Sequence, residues 1–368
     1  MKKRRLALYI PIFLLSCSFA SAQVQFAYNV DFSTKLDNSE TDSYSKQNGR
    51  TLFGAFLSPS LGVEFLGEHT LQVGATLQAN FGDKNKTLLY DWLFYYKFSR
   101  EDRHRVFVGS FGTDNSLKPY TDLSMTDNMR YSKHTFQGAM YQFRNDKGYT
   151  EVIFDWIGMM KSDQRERIAL WSASRYDLDW FHAGYELYIN HYSVSYDAAT
   201  RVVDNVLLSP RIGIHFTKWL PLEAFELSLG WIQTFQRDRI SSRDFIFPMG
   251  GYADFRIAKW GVYIYNRFYY GGQLLPFYNR PDPHTGIYGE DLYFTEIYYG
   301  TDENYRKTHI YDRLAAGWKY NIKDFLEFDL SLVFHIAEQG KWAWQQKATV
   351  RFHFDQNIIK RWSSNKKK

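Results

Sequence analysis

Segments of about eleven residues in which apolar and polar side chains strictly alternate constrain this chain more than any other feature. Residues 71–81 are a clear example. One row is apolar and the other is small or polar: Leu71, Val73, Ala75, Leu77, Ala79 and Phe81 against Gln72, Gly74, Thr76, Gln78 and Asn80. A period of two is typical of a β-strand with one apolar and one polar face.

The same pattern returns near the end of the chain. In residues 326–336 the row from Leu326 to Ile336 is apolar, and the opposite row contains Glu327, Asp329 and His335. Residues 342–354 follow with one polar break in the apolar row, at Gln346. Each segment has the length that a tilted strand needs to cross a bilayer.

Similar segments predict sixteen strands, with fourteen to eighteen allowed by the uncertainty of boundaries. Their centres lie near residues 29, 57, 75, 93, 108, 138, 153, 173, 186, 211, 230, 253, 266, 314, 331 and 348. Short connections (67–69, 145–148, 259–260 and 321–325) alternate with long ones (35–50, 113–131, 194–206, 237–247 and 273–307). This alternation is typical of an outer-membrane barrel whose long loops are extracellular.

Aromatic residues make up 19% of the sequence. No stretch of the mature chain approaches the roughly eighteen apolar residues of a membrane-spanning helix, so the aromatic content favours a barrel with aromatic girdles and a polar interior. A soluble β-sandwich or barrel would also alternate. It is disfavoured because the apolar rows would need a core larger than one sandwich normally builds.

The N-terminus predicts export. Four basic residues at positions 2–5 precede an apolar run, and Ala20-Ser21-Ala22 offers a cleavage site, so residues 1–22 are predicted to be a signal peptide. An alternative is a lipoprotein box that ends at Cys17 and leaves that cysteine acylated. Cleavage after Ala22 would remove Cys17, the one cysteine of the chain, and with it any disulfide, thiol nucleophile or cysteine metal site. We predict no cofactor and no metal.

Charge argues against a nucleic-acid partner. The formal net charge of +5 falls to about +1 without the signal peptide, and residues 23–354 sum to about −3. The remaining excess of basic residues lies in the tail 355–368. This tail is expected to be a periplasmic extension that is either a solubilising end or a contact for anionic headgroups or a protein partner.

The last strand carries a family resemblance. Lys347-Ala348-Thr349-Val350-Arg351-Phe352-His353-Phe354 resembles the terminal strand signal of bacterial outer-membrane barrels of the porin-like type. The resemblance implies an all-β, transmembrane, antiparallel up-and-down barrel over residues 23–354, in the outer membrane of a Gram-negative bacterium. It also implies a channel for small polar solutes. The basic tail departs from the pattern, since such chains commonly stop at the aromatic residue.

Charges on the inward rows are the candidate lumen residues. Projection of the hairpins places Arg175 across from Glu151 and Glu186, and Asp254 near Arg267. A further row is expected from the last strands, comprising Lys319, Glu327, Asp329, Lys347 and Arg351. Such pairs either neutralise one another and rigidify the wall or together set a transverse field in an aqueous pore.

Two loops are further candidates. The porin resemblance implies that residues 113–131 fold inward, so that a constriction could be lined by Asp114, Lys118, Asp122, Asp127 and Arg130; the alternative is an ordinary solvated loop. Residues 273–307 combine aromatic and acidic side chains, which could bind sugars or a hard cation. We favour a plug or lid over the barrel mouth. In an accessory barrel, the same loop would contact a partner protein.

One enzymatic alternative remains. His191 and Ser193 lie two positions apart near the extracellular end of a strand, on the row expected to face lipid. This His-x-Ser pair resembles outer-membrane phospholipase A, in which serine attacks a lipid ester, histidine takes the proton and asparagine orients the histidine. Asn205 is the candidate for the third group. The family's Asn-Gly after the serine is replaced here by Val194-Ser195. Other catalytic motifs are lacking in the sequence.

Overall fold

A computed structural model describes residues 24–41, 49–117, 119–196, 202–217, 219–239, 244–282, 285–293, 297–322 and 325–355. Within them, sixteen long antiparallel strands form one closed barrel. In chain order they are β1 Gln25–Glu40, β2 Arg50–Phe65, β3 His69–Asn80, β4 Leu88–Arg100, β5 His104–Gly112, β6 Thr135–Asn145, β7 Gly148–Gly158, β8 Arg167–Leu178, β9 Phe181–Tyr192, β10 Val203–His215, β11 Ala224–Asp238, β12 Met249–Lys259, β13 Val262–Gly271, β14 His309–Ile322, β15 Leu326–Ala337 and β16 Trp342–Asp355.

The prediction of sixteen strands is confirmed, and every predicted strand centre falls inside one of them. The barrel closes where β1 pairs with β16, from Asn29 opposite Asp355 to Glu40 opposite Trp344. Closure leaves no unpaired sheet edge, which a structure surrounded by hydrocarbon requires. The helices in the described ranges are all too short or too polar to form a transmembrane span. The predicted signal peptide, Cys17 and nearly all of the basic tail lie outside the described residues.

The apolar rows point outward and the polar rows point into the barrel. Leu71 and Leu330 are 44% and 47% exposed, whereas Gln78 and His335, on the opposite rows of the same strands, are buried. Exposed tryptophans lie near both ends of the wall, among them Trp92 and Trp260. The exposed apolar belt is the surface that a bilayer covers, so the chain is an outer-membrane barrel and the soluble alternative is excluded.

Two long connections fill the half of the barrel next to the long loops. The inner loop, residues 113–134, contains the short helix α1 Asp127–Ser132. The plug loop, residues 272–308, contains a two-residue hairpin, in which Pro281–Asp282 pairs with Gly286–Ile287, followed by helix α2 Tyr288–Leu292. Buried side chains of both loops join one apolar cluster with inward-facing residues of the wall. The core of this barrel therefore lies inside it.

Candidate functional site

The open part of the lumen is a cavity of about 1030 Å³, here called the vestibule. It is bounded by the inner loop and by inward residues of the strands nearer the short turns, including Arg175, Glu226 and Lys319. Charged side chains of both signs line it, as the sequence predicts for the lumen. Among the described residues, two further cavities next to the loops measure only about 30 and 50 Å³.

Two buried wall carboxylates hold one side of the inner loop. Glu151 accepts hydrogen bonds from the hydroxyl of Ser116 at 2.7 Å and from the backbone N–H of Leu117 at 2.8 Å. Glu186 accepts from the N–H of Thr121 at 3.2 Å and also from the hydroxyl of Ser124. Both carboxylates are nearly inaccessible to solvent. Their charge is therefore satisfied by loop donors, as a buried charge requires.

The other side of the inner loop is held by wall cations. Asp122 contacts Arg267 at 3.3 Å and Arg313 at 3.6 Å. Asp127 contacts Lys347 at 2.5 Å and Arg313 at 3.6 Å, and these cations hold the pKa of its carboxyl below the usual value against the effect of burial.

Two other candidates on the inner loop have different partners. Asp114 lies 3.3 Å from Arg351. Arg130 donates to backbone carbonyls within the loop, to Tyr120 at 2.6 Å and to Met125 at 3.0 Å. Lys118 lies outside the described residues. Together with the anchors above, these contacts tie the loop across the lumen from β7 and β9 to β13, β14 and β16.

The predicted pairing of Arg175 with Glu151 and Glu186 is wrong. Arg175 lies opposite Tyr149 and Gly184, two positions away from the expected register on each side. Its guanidinium instead contacts Asp177 at 2.8 Å and Glu226 at 3.2 Å. The register with β9 follows from the two-residue turn Asp179-Trp180, which places Leu178 opposite Phe181. An error of two positions keeps every side chain on its own row, so the alternation of apolar and polar residues does not reveal it.

The other lumen candidates lie where the projection places them. Asp254 and Arg267 are opposite each other and form two hydrogen bonds of 2.7 Å. Lys319 contacts Glu327 at 3.1 Å and lies opposite Asp329. Glu327 lies opposite Arg351, which also contacts Asp31 on β1 at 2.7 Å across the closure of the barrel.

The plug loop is held to the inner wall by polar contacts. Asp282 contacts Arg165 at 3.0 Å, and Arg280 contacts Asp238 at 2.6 Å. Tyr293 donates to Gln236 at 2.8 Å. Tyr299 packs edge-on against Tyr311 of β14, with ring centroids 4.9 Å apart. Burial raises the pKa values of Tyr293 and Tyr299, so both phenols are neutral donors.

A polar cluster lies on the outside of the barrel, at the long-loop ends of β9, β10 and β11. His191 Nδ1 is 3.2 Å from Asp204 Oδ1. Arg237 and Arg239 bind the same carboxylate at 2.8 and 2.9 Å. Each strand member shares a row with lipid-facing residues such as Ile189, Val206 and Phe235. We call these four residues the rim cluster: His191, Asp204, Arg237 and Arg239.

Ser193 adjoins the rim cluster. Its N–H donates to the carbonyl of Glu166 at 2.8 Å, and Glu166 in turn donates to Val194 at 3.2 Å, which extends the ladder just beyond β9. Its own carbonyl accepts from Arg165 at 2.8 Å. Within the described part of the chain, the Ser193 hydroxyl forms no hydrogen bond. The backbone at this residue is therefore fixed while its Oγ is available.

The assignment of Asn205 as the orienting group is wrong. Asn205 is buried and lies opposite Asn190 on the inward row, because neighbouring residues of a strand point to opposite sides. Asp204, one residue earlier, faces outward and contacts His191. Asp204, Arg237 and Arg239 were not predicted from the sequence. Asp204 and Arg237 could have been found from their position on apolar, lipid-facing rows, where an unpaired charge is energetically costly.

An apolar groove of about 830 Å³ lies on the outer surface of β11–β13, below Arg237 on the same strand. Leu229, Trp231, Phe247, Phe268 and Tyr270 form its walls. Gly251 lies on the outward row of β12, where an added Cβ would reach only Gly230 and Trp231 at 3.8–4.0 Å, so the floor at this position lacks a side chain.

The family is shown by a match over residues 20–361, which is nearly the whole chain, to the model described as lipid A 3'-O-deacylase-type. The chain belongs to this family. No curated protein matches the sequence.

Solved structures of outer-membrane proteins are similar to this deacylase-type chain. A loop L8 deletion mutant of OmpT, an outer membrane protein of Vibrio cholerae, has a TM-score of 0.50 at 8% identity and covers 90% of this chain and 99% of its own. OprD of Pseudomonas aeruginosa has a TM-score of 0.49 at 11% identity, with coverages of 90% and 94%. OccAB3 of Acinetobacter baumannii has a TM-score of 0.47 at 10% identity, and the match covers 90% of this chain and 99% of OccAB3. The closed barrel of sixteen antiparallel strands and the likeness to OmpT give the architecture of a porin-like outer-membrane barrel.

Proposed function

We propose that this barrel hydrolyses acyl esters of lipids in the outer leaflet, with Ser193 as nucleophile, His191 as general base and Asp204 as the group that orients the histidine. The observation that carries the proposal is the 3.2 Å contact between His191 and Asp204 on the lipid-facing surface. Histidine and aspartate are costly at such a position unless they are paired or used. The family's printed activity, the deacylation of lipid A, points to the same chemistry.

The contact between His191 and Asp204 suits a general base, and Ser193 lies two residues from this histidine. Donation from His191 Nδ1–H to Asp204 leaves Nε2 with its lone pair, which can accept the proton of Ser193 Oγ as that oxygen bonds to the ester carbonyl carbon. The ester C–O bond then breaks, and His191 returns the proton to the leaving alcohol. Water, activated by the same histidine, releases the fatty acid and restores the serine. The hydrogen bond from Ser193 to His191 is expected to form when substrate binds.

The surroundings favour a lipid with an anionic headgroup. Arg237 and Arg239 outnumber Asp204, so the rim cluster keeps a positive charge at the level of the outer-leaflet headgroups. The apolar groove on β11–β13 begins on the strand that carries Arg237 and opens to the hydrocarbon, so it can hold an acyl chain.

The test is release of fatty acid from lipid A and from phospholipid in mixed micelles, measured by mass spectrometry. Ser193→Ala and His191→Gln are expected to reduce the rate at least about a thousandfold, the usual loss for a catalytic triad member. Ser195→Ala, a buried serine two residues away, and Asn205→Ala, on the inward row, are matched controls that should keep activity. Full activity of Ser193→Ala would reject the proposal.

A second candidate is passage of small polar solutes through the lumen. The mixed-charge vestibule favours it, but both loops would have to move, since they fill the other half of the barrel. Planar-bilayer recordings test this candidate. Deletion of residues 280–303 should raise conductance if the plug loop is a lid, whereas equal conductance with and without the loop would remove the lid. An accessory barrel that holds a partner through this loop would instead appear as a stable complex on purification in mild detergent.

A further inference from the structure

We propose that Asp177, His182 and His215 form a binding site for a divalent transition metal such as Zn²⁺ at the periplasmic mouth of the lumen. The three residues lie at the short-turn ends of β8, β9 and β10, on inward rows. One donor atom from each lies within 4.8 Å of the others. The site is separate from the rim cluster, which is at the opposite end of β9 and β10 on the outer surface.

The hydrogen bonds of both imidazoles leave a nitrogen for a metal. His215 Nε2 contacts the backbone carbonyl of Asp179, which can only accept, so Nε2 carries the hydrogen and Nδ1 of the neutral ring has a lone pair. His182 Nε2 is 3.0 Å from Ser228 Oγ. A second hydrogen bond of this kind is the usual way in which a metal-binding histidine is oriented.

Both Nδ1 atoms are buried and lack a hydrogen-bond partner within the described residues. His182 as a whole is only 2% exposed. An unsatisfied buried nitrogen is costly, and two of them beside a carboxylate are accounted for by a cation between them. The two rings are nearly parallel, with centroids 6.0 Å apart.

The distances between the three donor atoms fit a small cation if these atoms move slightly closer together. Ligands around tetrahedral Zn²⁺ at about 2.1 Å lie about 3.4 Å apart, and His215 Nδ1 is 3.9 Å from Asp177 Oδ1. Asp177 is 38% exposed on its side chain, so water can supply the fourth ligand. Arg175 also contacts Asp177, but it is shared with Glu226, so the local charge can accept a divalent ion.

Gly213 makes this arrangement possible. It lies opposite His182 in the β9–β10 ladder, and a Cβ there would come within 2.5 Å of the His182 ring and of Ser228 Oγ. The absent side chain lets the imidazole lie across β10 and reach Ser228 on β11. Two nitrogens and one carboxylate oxygen suit Zn²⁺, Co²⁺, Ni²⁺ or Cu²⁺ better than Ca²⁺ or Mg²⁺.

Equilibrium dialysis of the untagged full-length protein in detergent, with ZnCl₂ alone as probe and metal analysis by mass spectrometry, tests the site. We expect one Zn²⁺ per chain, with affinity reduced at least about tenfold in both His182→Gln and His215→Gln. His104→Gln is the control, because His104 is at the same end of the barrel but on its outer surface beside Tyr141.

Co²⁺ gives an independent readout, since a four-coordinate ion shows visible absorption bands that an ion bound loosely by six waters lacks. These bands should be present in the unmodified protein and in His104→Gln, and absent in His182→Gln. Barrel folding of each variant is checked by its shifted migration in unheated gel samples. Absence of stoichiometric Zn²⁺ in the unmodified protein would overturn the proposal, as would unchanged affinity in both histidine variants.

Discussion

The hydroxyl of Tyr299 donates a hydrogen bond of 3.2 Å to the carboxylate of Asp122, and this contact joins the plug loop to the inner loop. The same carboxylate contacts Arg267 and Arg313 of the wall. The Asp122 carboxylate therefore connects two loops that are far apart in sequence to the inner wall of the barrel. This anchoring explains how loops without long secondary-structure elements can fill half of the lumen.

Removal of the Tyr299 hydroxyl should break the hydrogen bond between the two loops without leaving a large cavity. Tyr299→Phe is expected to lower the free energy of unfolding by about 1 kcal/mol, the usual net value of one hydrogen bond. Denaturant unfolding followed by tryptophan fluorescence measures it. Tyr320→Phe, an exposed tyrosine on the outer surface, should change stability by less. Equal effects of the two substitutions would contradict a specific role of the Tyr299 contact.

Arg267 is a lumen cation whose removal should strongly reduce the stability of the barrel. Its side chain is almost fully buried and balances both Asp254 and Asp122. Arg267→Ala should lower the free energy of unfolding by about 3–5 kcal/mol, because the half-buried carboxylate of Asp254 loses its cation and that of Asp122 keeps only Arg313. Arg100→Ala, which breaks only an exposed contact with Glu68, should cost less than about 1 kcal/mol. If Arg267→Ala lowers the free energy of unfolding no more than Arg100→Ala does, the ion pairs of Arg267 in the lumen are solvated.

Glu186 should determine whether the inner loop stays docked. Glu186→Gln keeps the shape but removes the charge that receives the Thr121 N–H and the Ser124 hydroxyl, at an expected cost of about 1–3 kcal/mol. The loop should then be cleaved faster by added protease. Glu68→Gln, at an exposed turn, is the control. Unchanged cleavage of the inner loop in Glu186→Gln would show that this anchor is dispensable.

The inner loop should also respond to acid through His134. Burial, with the nearby charges of Lys35 and Lys133, lowers the pKa of His134 to about 3, and its Nε2 lies 2.7 Å from Gln78 Oε1. The unfolded chain binds a proton below about 6.5 and the folded chain does not, so stability is complete above that pH and falls as pH drops toward 3.

Between pH 6.5 and pH 5, the His134 imidazole alone is expected to lower the free energy of unfolding by about 2 kcal/mol. His134→Gln can keep a donor toward Gln78 but cannot titrate. Unfolding free energies measured at both pH values should therefore fall less in His134→Gln than in the unmodified protein. Identical pH dependence in the two proteins would contradict the account of His134.

The strands were predictable from sequence because alternation over eleven residues is long enough to exclude other periods. The pairing of Arg175 was not, because a shift of two positions along β7 or β9 leaves the same residues facing the lumen, so the strand pattern does not determine the register. The rim cluster shows the same limit. Its members His191, Asp204 and Arg237 come from three strands, and a register error of one residue exchanges Asp204 for Asn205. Loop anchors such as Glu186 have no periodic signal, because their partners are loop backbone groups.

Labelling with a long-chain fluorophosphonate distinguishes a serine esterase from an inert barrel, because this reagent bonds only to a serine activated as a nucleophile. The purified barrel should form one adduct, which peptide mass mapping places on Ser193. His191→Gln should abolish the adduct, and Ser195→Ala should retain it. A folded barrel that forms no adduct on Ser193 would rule out this serine as the nucleophile.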